Sequence, residues 1–531
     1  MALATWSGRH RARAAASRDL PRARLALIFA ILIGIAMLPI LIFPMPFMAD
    51  YPNHLARIYA IGALGHDTLL ARYYEIDWRL VPDLAVDAIV PLLAKAAGIF
   101  AAGKLFVLLT LTLLATGPIA LHHALYRRID LWPLTAFLFL YNTNFFYGLL
   151  NYLFATALAL WATAAWIWLR DKGPVLRAVI SWLFIAALFF SHFLAVGIYG
   201  MAIGCYELWH WRATRLGPRA VARDAAVLLT PFLLVMPLTL ASPTVGFAEQ
   251  TEWMLWPGKA LGIYFIFKSY SRSLAVVLGL VLGGALLWGL LTRRVRLHPA
   301  GLLFVVLAAI VYLAMPAILM SARLVDVRLP ATFVLFLIGM SGWEHRTSTE
   351  AKRFAAALVA LVGLVMVEVI GYWAQYQPAL ARIEHSFARI PPGSRVLVAV
   401  NEVGSDHTDG SLLLHLPALV VIERSAFYSH AFTHPAKQPL QVKAPYRANA
   451  PYDGLPLPVE ELAIADGDHA VVPPPEPGNT DLERHYWMHW RQDYDYLYVL
   501  YTPEGYRPPL AGIEPLERNN IFSLYRIAPA P

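Results

Sequence analysis

Asp50 closes the first long apolar stretch of the chain, in the run Phe47-Met48-Ala49-Asp50-Tyr51-Pro52-Asn53-His54. A carboxylate at the mouth of an apolar segment is partly desolvated yet ionised. It can take the proton of an incoming hydroxyl or amine, a form of general base catalysis worth about 100-fold to 10,000-fold. His54 and Arg57 follow at i+4 and i+7. With Asn53 they are candidates for holding a substrate, Arg57 through a phosphate. Asp is equally a preferred helix N-cap and Pro52 suits a first helical turn, so Asp50 also has a purely structural reading. The two are compatible, because a capping carboxylate keeps a second oxygen.

Three further groups of residues carry polar chemistry. Arg323 and Arg328 flank Asp326 in Ser321-Ala322-Arg323-Leu324-Val325-Asp326-Val327-Arg328, and two guanidinium forks could hold a phosphate and stabilise it as it departs. Snorkelling to lipid headgroups is the competing reading. Tyr141, Asn142, Asn144 and Asn151 lie in an uncharged stretch rich in amides and phenols, which fits sugar hydroxyls and equally fits an interfacial aromatic belt. His192 is a candidate to face the same cavity, and Asp77, in Tyr73-Tyr74-Glu75-Ile76-Asp77-Trp78-Arg79, belongs to a polar aromatic patch suited to substrate. Glu368, inside an apolar run, is costly in lipid and is expected to face protein.

The elements that must position these residues are membrane helices. The 531 residues are 58% hydrophobic and 15% charged, and the apolar runs reach span length. Runs at 25–47, 104–121, 132–149, 152–169, 176–191, 193–209, 224–242, 273–292, 299–320, 329–343 and 354–374 predict about eleven spans. The net charge of +8 resides largely in short loops: residues 1–24 with Arg9, Arg11, Arg13, Arg18, Arg22 and Arg24, then 122–128, 170–172, 211–223, 292–296 and 344–353. If the runs alternate, all of these fall on one side, the cytoplasmic side by the positive-inside rule. The first loop, 48–103, and the C-terminus then lie outside. This charge pattern is topology rather than a nucleic-acid footprint. The first run is longer than a cleaved signal and reads as an uncleaved span.

The first loop is too long for a plain connection. Leu55, Ile58, Tyr59 and Gly62 share a helical face, and 82–93 begins a second such pattern. Two amphipathic helices lying in the interface are expected to form a shelf for substrate. From about Gln375 the composition turns polar and Pro-rich, with 473–478 the densest proline stretch. Residues 375–531 read as an extracytoplasmic α/β domain with strands at 395–400, 418–422, 496–500 and 522–526. The one cysteine, Cys205, excludes an intrachain disulfide. His430 and His434 recur at i, i+4 without a third ligand of zinc spacing. No phosphate-binding glycine loop or nucleophile elbow is present.

The layout resembles the GT-C superfamily of integral membrane glycosyltransferases, of the protein mannosyltransferase and lipid A aminoarabinose transferase type. The resemblance rests on the basic N-terminus, Asp50 directly after the first span, the long first loop, the many spans and the C-terminal domain. It implies an inner-membrane enzyme that takes a sugar from a polyprenyl-phosphate donor on the outer face. The sugar passes with inversion to an envelope glycan, lipid or protein, with Asp50 as base and Arg323 or Arg328 on the departing phosphate. Family members often carry an acidic pair after the first span and another carboxylate in the second external loop. Here Tyr51 follows Asp50, and 141–152 has no carboxylate. No cofactor is expected; a divalent metal is compatible with the chemistry but has no support in the sequence. The rival readings are a polysaccharide polymerase or ligase, and a transporter or non-catalytic assembly protein. Few charges in the spans and no internal repeat argue against transport.

Overall fold

The computed structural model describes residues 20–247, 251–253, 258–320, 322–401, 411–451, 456–465 and 486–528. Arg9, Arg11, Arg13, Arg18, Ser321 and the proline stretch 473–478 lie outside the described residues. The longer helices are α1 (Arg22–Ile42), α2 (Tyr51–Ala63), α3 (Ala85–Ala97), α4 (Ile99–Tyr126), α5 (Leu150–Trp168), α6 (Pro174–Ser191), α7 (Phe193–Thr214), α8 (Pro218–Leu229), α9 (Arg272–Leu291), α10 (Pro299–Ala314), α11 (Val325–Gly339) and α12 (Ser348–Ser386). The chain forms two compact units. The first comprises Met1–Ile42 and Val107–Ile370, the second Phe43–Phe106 and Gly371–Pro531. The first loop thus belongs to the same unit as the C-terminal domain, and the passage between units near 370 falls inside α12.

The first unit is a helical membrane bundle. Among the described residues seven helices are long and apolar enough to cross a bilayer: Arg22–Ile42, Ile99–Tyr126, Leu150–Lys172, Pro174–Ser191, Pro218–Leu240, Arg272–Leu291 and Ser348–Arg389. Leu233, Met236, Leu280, Leu291, Ile310, Leu313 and Val367 are exposed on these helices and on α10, an apolar surface that only lipid covers without cost. Helix α7 has the length of a span with 22 residues, while α10 and α11 are short at 16 and 15. Helix α11 is buried almost all round.

The run 132–149 departs from expectation. Instead of a membrane helix it is a 3-10 segment, Trp132–Phe139, followed by the single-turn helix Thr143–Tyr147. It still travels the length of α11: Trp132 Nε1 donates to Ser341 Oγ at 2.9 Å beyond one end, and Asn144 Nδ2 donates to the Arg328 carbonyl at 3.1 Å near the other. Such irregular backbone is tolerated at membrane depth only when buried in protein, and Pro133–Phe137 and Phe139 are buried.

The basic loops gather at one end of this unit. His122 is bonded to the Ser341 carbonyl at 2.9 Å and to Asp130 at 3.0 Å, and Arg128 pairs with Asp130 at 2.8 Å. Residues 295–297 and 341–343 form a two-stranded ladder, with Arg294 on Glu350 at 2.9 Å. His298 packs on Tyr126 and Trp209, ring centroids 5.8 and 4.4 Å apart. Arg170 reaches Asp224 at 3.2 Å. The loops after α4, α5, α7, α9 and α11 therefore share a face of the bundle, as the alternation of charge predicts.

The second unit is built on a mixed sheet. Strands are β1 (Tyr74–Ile76), β2 (Arg395–Val400), β3 (Phe427–Tyr428), β4 (Leu440–Val442), β5 (Leu457–Pro458), β6 (Tyr496–Leu500), β7 (Ile513–Arg518) and β8 (Phe522–Ile527). The order is β3-β2-β6-β8-β7, with β5 also on β2. β2 is parallel to β3, β5 and β6, and β6-β8-β7 is antiparallel. β2 is buried along five of its six residues, which explains its unbroken apolar sequence. β1, from the first loop, pairs antiparallel with β4, Tyr74 opposite Val442.

Two expectations for this unit are corrected. Residues 418–422 are not a strand: Leu416–Leu419 is a 3-10 turn leading into α13 (Val420–Arg424). Pro417 removes a ladder donor and fixes a helical φ at the first turn, and packing against α2 overrides the β-branched composition. Helix α2 is not a surface helix lying on lipid. Ten of its residues are buried, polar and apolar faces alike, because α3, α13 and the 3-10 turn before it surround it.

Candidate active site

Asp50 occupies the N-cap position of α2 with φ −85° and ψ −10°, and Pro52 lies in the first turn, but its side chain makes no capping hydrogen bond. A capping carboxylate normally sits on extended backbone and accepts from the second or third amide of the helix. The Asp50 carboxylate instead points to the C-terminal domain, with Oδ1 3.6 Å from Nε2 of His415, and its side chain keeps 29% exposure. His415 is buried, and burial pushes its pKa down to about 4, so the ring is neutral at ordinary pH.

One turn along α2, Asn53 is fully buried and cross-links the loop to the C-terminal domain. Its Oδ1 accepts from the Phe432 amide at 3.1 Å, and its Nδ2 donates to the His430 carbonyl at 2.7 Å and lies 3.3 Å from His415 Nδ1. Phe432 is the hub of the cluster. His54 and His415 both present their rings at a steep angle to it, centroids 5.2 Å away, and the Arg57 guanidinium lies 6.0 Å from its ring.

Arg57 has a different role from the one its spacing predicts. Its fork is closed on Asp87 of α3, Nε to Oδ1 at 2.7 Å and Nη2 to Oδ2 at 3.0 Å, with both side chains buried. The pair fastens α2 to α3, and no face of the guanidinium is presented to solvent. Asp77 likewise pairs with Arg79, here on the surface. Asp77, Arg79, Glu75 and Arg447 line an open cleft together with Thr433 and Gln441.

In the first unit, Arg328 lies in the opening turn of α11. Its Nη1 lies 2.8 Å from Nε2 of His192, and its Nη2 donates to the Arg323 carbonyl at 2.7 Å. The structure thus joins three of the predicted residues, His192, Arg323 and Arg328, in one cluster. Asp326, between the arginines in sequence, turns away and pairs with Lys259 at 2.8 Å, buried.

The amide-rich stretch is largely structural. Tyr141 is buried with its hydroxyl on the Ala36 carbonyl at 2.7 Å. Asn142 caps the helix Thr143–Tyr147, its Oδ1 accepting from the Asn144 amide at 2.8 Å. Asn144 and Tyr152 both donate to the Arg328 carbonyl, at 3.1 and 3.2 Å, and so hold the backbone that carries the guanidinium. Asn151 is buried in the first turn of α5. Glu368 accepts from Ser269 and from the Ser271 amide.

Among the described residues no group of three or more His, Cys, Asp or Glu could hold a metal ion. His430 lies between Ser429 Oγ at 2.6 Å and the Tyr486 hydroxyl at 3.0 Å, and His434 accepts the Ala436 amide at 3.0 Å. His415 is the site residue that sequence reasoning missed. It is 362 positions from Asn53, and its only local signal is a histidine followed by Leu416-Pro417 at a helix start.

The chain, helical bundle and mixed-sheet domain included, shares its fold with a protein of known structure. A crystal structure of ArnT from Cupriavidus metallidurans bound to undecaprenyl phosphate superimposes with a TM-score of 0.51 over 96% of this chain and 98% of that chain, at 11% identity. At that identity the likeness is one of fold. No protein-family model matches the sequence, and no curated protein sequence matches it.

Proposed function

We propose that this chain is an inner-membrane glycosyltransferase that moves a sugar from a polyprenyl-phosphate donor to an envelope glycan, lipid or protein on the outer face. Asp50 is its general base. The acceptor's oxygen or nitrogen bonds to the anomeric carbon while the bond from that carbon to the phosphate oxygen breaks. The acceptor proton passes to the Asp50 carboxylate, and the polyprenyl phosphate leaves with the bonding electron pair, which gives inversion. The observation that carries the reading is the Asp50 side chain: it sits at a helix N-terminus without capping it and remains partly exposed beside a neutral histidine.

Arg328 is the residue proposed for the departing phosphate, with its fork aimed by His192 and the Arg323 carbonyl. The undecaprenyl phosphate in the ArnT structure supports the donor class. The gathering of basic loops at one end of the bundle supports a cytoplasmic assignment for that end. The experiment is transfer by purified protein in lipid, supplied with polyprenyl-phosphate sugars. Folded Asp50→Asn is expected to lose about 100-fold to 10,000-fold, and wild-type turnover by that variant overturns the base assignment.

A further inference from the structure

We infer that His415 is a positioning residue for Asp50, locked by Asn53 into the single tautomer that aims an N–H at the carboxylate. This rests on the reading of Asp50 as the reacting base, and its first test is independent of that reading.

The Asn53 amide has one orientation. Oδ1 accepts from the Phe432 N–H at 3.1 Å and Nδ2 donates to the His430 carbonyl at 2.7 Å; flipping the amide would set donor against donor and acceptor against acceptor. The second hydrogen on Nδ2 is then available to His415 Nδ1, 3.3 Å away. A ring nitrogen facing a donor must accept, so the neutral imidazole carries its proton on Nε2. That nitrogen is the one 3.6 Å from Asp50 Oδ1. Protonating the ring would set an N–H on Nδ1 against the Asn53 amide, and burial opposes the charge as well.

The same arrangement excludes His415 as a carrier of the abstracted proton, since Nδ1 is occupied and Nε2 already holds a hydrogen. The residue acts through Asp50. An N–H aimed at one oxygen fixes the carboxylate's direction and favours its ionised form, keeping the base competent at lower pH. At 3.6 Å the contact is a charge–dipole one, and catalytic hydrogen bonds commonly shorten in the substrate complex. Among the described residues, titratable groups at this point include His54 and Arg57, both against the Phe432 ring, and His430, which contributes its carbonyl here while its ring is bonded to Ser429 and Tyr486.

The first test is nuclear magnetic resonance of the full chain in nanodiscs with 15N-labelled histidine, the His415 signals assigned by their loss in His415→Gln. The expected result is an Nε2–H tautomer that persists between about pH 5 and pH 8. An Nδ1–H tautomer, or an imidazolium at about pH 6, overturns the inference. The second test compares His415→Gln with His415→Leu. Glutamine can accept from Asn53 and donate to Asp50, whereas leucine can do neither. With 13C-labelled carboxylates, the Asp50 titration is expected to match wild type in the Gln variant and to move up by roughly half to one pH unit in the Leu variant, the Asp50 signal being assigned by its loss in Asp50→Asn. The acidic limb of kcat/KM should move with it. Equal Asp50 titrations in all three proteins overturn the positioning role. The expected spectra together with no transfer by wild type would overturn the transferase reading and leave the positioning intact.

Discussion

Arg57 and Asp87 form a bidentate ion pair, 2.7 and 3.0 Å, in which neither side chain is reached by solvent. The pair ties the helix that begins at Asp50 to the second helix of the first loop. It converts Arg57, which reads as a phosphate ligand in the sequence, into a fastening that holds the site's helix. Breaking a buried pair from one side leaves an uncompensated charge, which costs about 3–5 kcal/mol. Asp87→Asn and Arg57→Met should each lower the thermal midpoint of the purified protein by many degrees. The double variant should recover part of the loss, and strictly additive losses would contradict the pairing.

Glu207 plays a similar part in the bundle. It is fully buried and accepts from Arg170, Arg177 and the Trp166 indole, while Arg177 stacks on the Trp166 ring at 3.7 Å. Glu207→Gln removes the carboxylate that Arg170 and Arg177 share and leaves Arg170 its pair with Asp224. A destabilisation of about 3–5 kcal/mol is expected, read as lost resistance to thermal aggregation in detergent, whereas Arg212→Gln in the last turn of α7 should change little.

Gly103 lies where α4 passes the start of α2. A Cβ there would run into the Tyr51 hydroxyl and stand 2.7 Å from Leu55 Cδ2. Tyr51 is buried beside Asp50 and has little room to yield. Gly103→Ala should cost about 1–3 kcal/mol and reduce transfer more than Gly62→Ala, where an added Cβ meets open space, and equal effects of the two would show that the close approach does not matter for the site.

Burial also sets a pH dependence of stability. His415 is pushed from 6.5 down to about 4 and His434 to about 3. Unfolded, both rings bind protons near their ordinary value, so between about pH 6.5 and pH 4 the unfolded chain holds more protons than the folded one. Stability from these groups is complete above about pH 6.5 and is lost as pH falls through that window. Thermal midpoints should therefore drop with acidification, and less steeply in His415→Gln; identical slopes would remove His415 from the account.

Orientation can be read with single cysteines, because Cys205 is the one native cysteine and is buried. In a Cys205→Ala background, Arg128→Cys and Arg346→Cys should react with a membrane-impermeant maleimide only after the cells are opened. Gln441→Cys and Arg447→Cys should react in spheroplasts without permeabilisation. The reverse pattern would invert the proposed topology.

Much of the architecture was legible because it is written in composition. Runs of apolar residues have no destination but lipid or a core, and the basic loops separate by side, so most spans and their common basic end follow from order along the chain. The strands at 395–400, 496–500 and 522–526 were legible for the same reason. The errors came where a neighbour outvoted the local signal. Residues 132–149 run beside α11 as irregular backbone because protein, not lipid, surrounds them. Residues 418–422 form helix rather than strand because Pro417 starts a turn and α2 covers it.

Asp50 itself was determined by the sequence: an acidic residue at the end of a span is conspicuous wherever the chain goes next. Its partner was not. His415 reaches it only because the 3-10 turn that begins after it packs on α2, and because Asn53 bonds to the backbone of 430–432. Pairings across several hundred residues leave no period or spacing in a sequence, since each side satisfies its own local rules. Tertiary packing alone decides which buried donor meets which acceptor, and hence that the carboxylate after the first span faces a histidine.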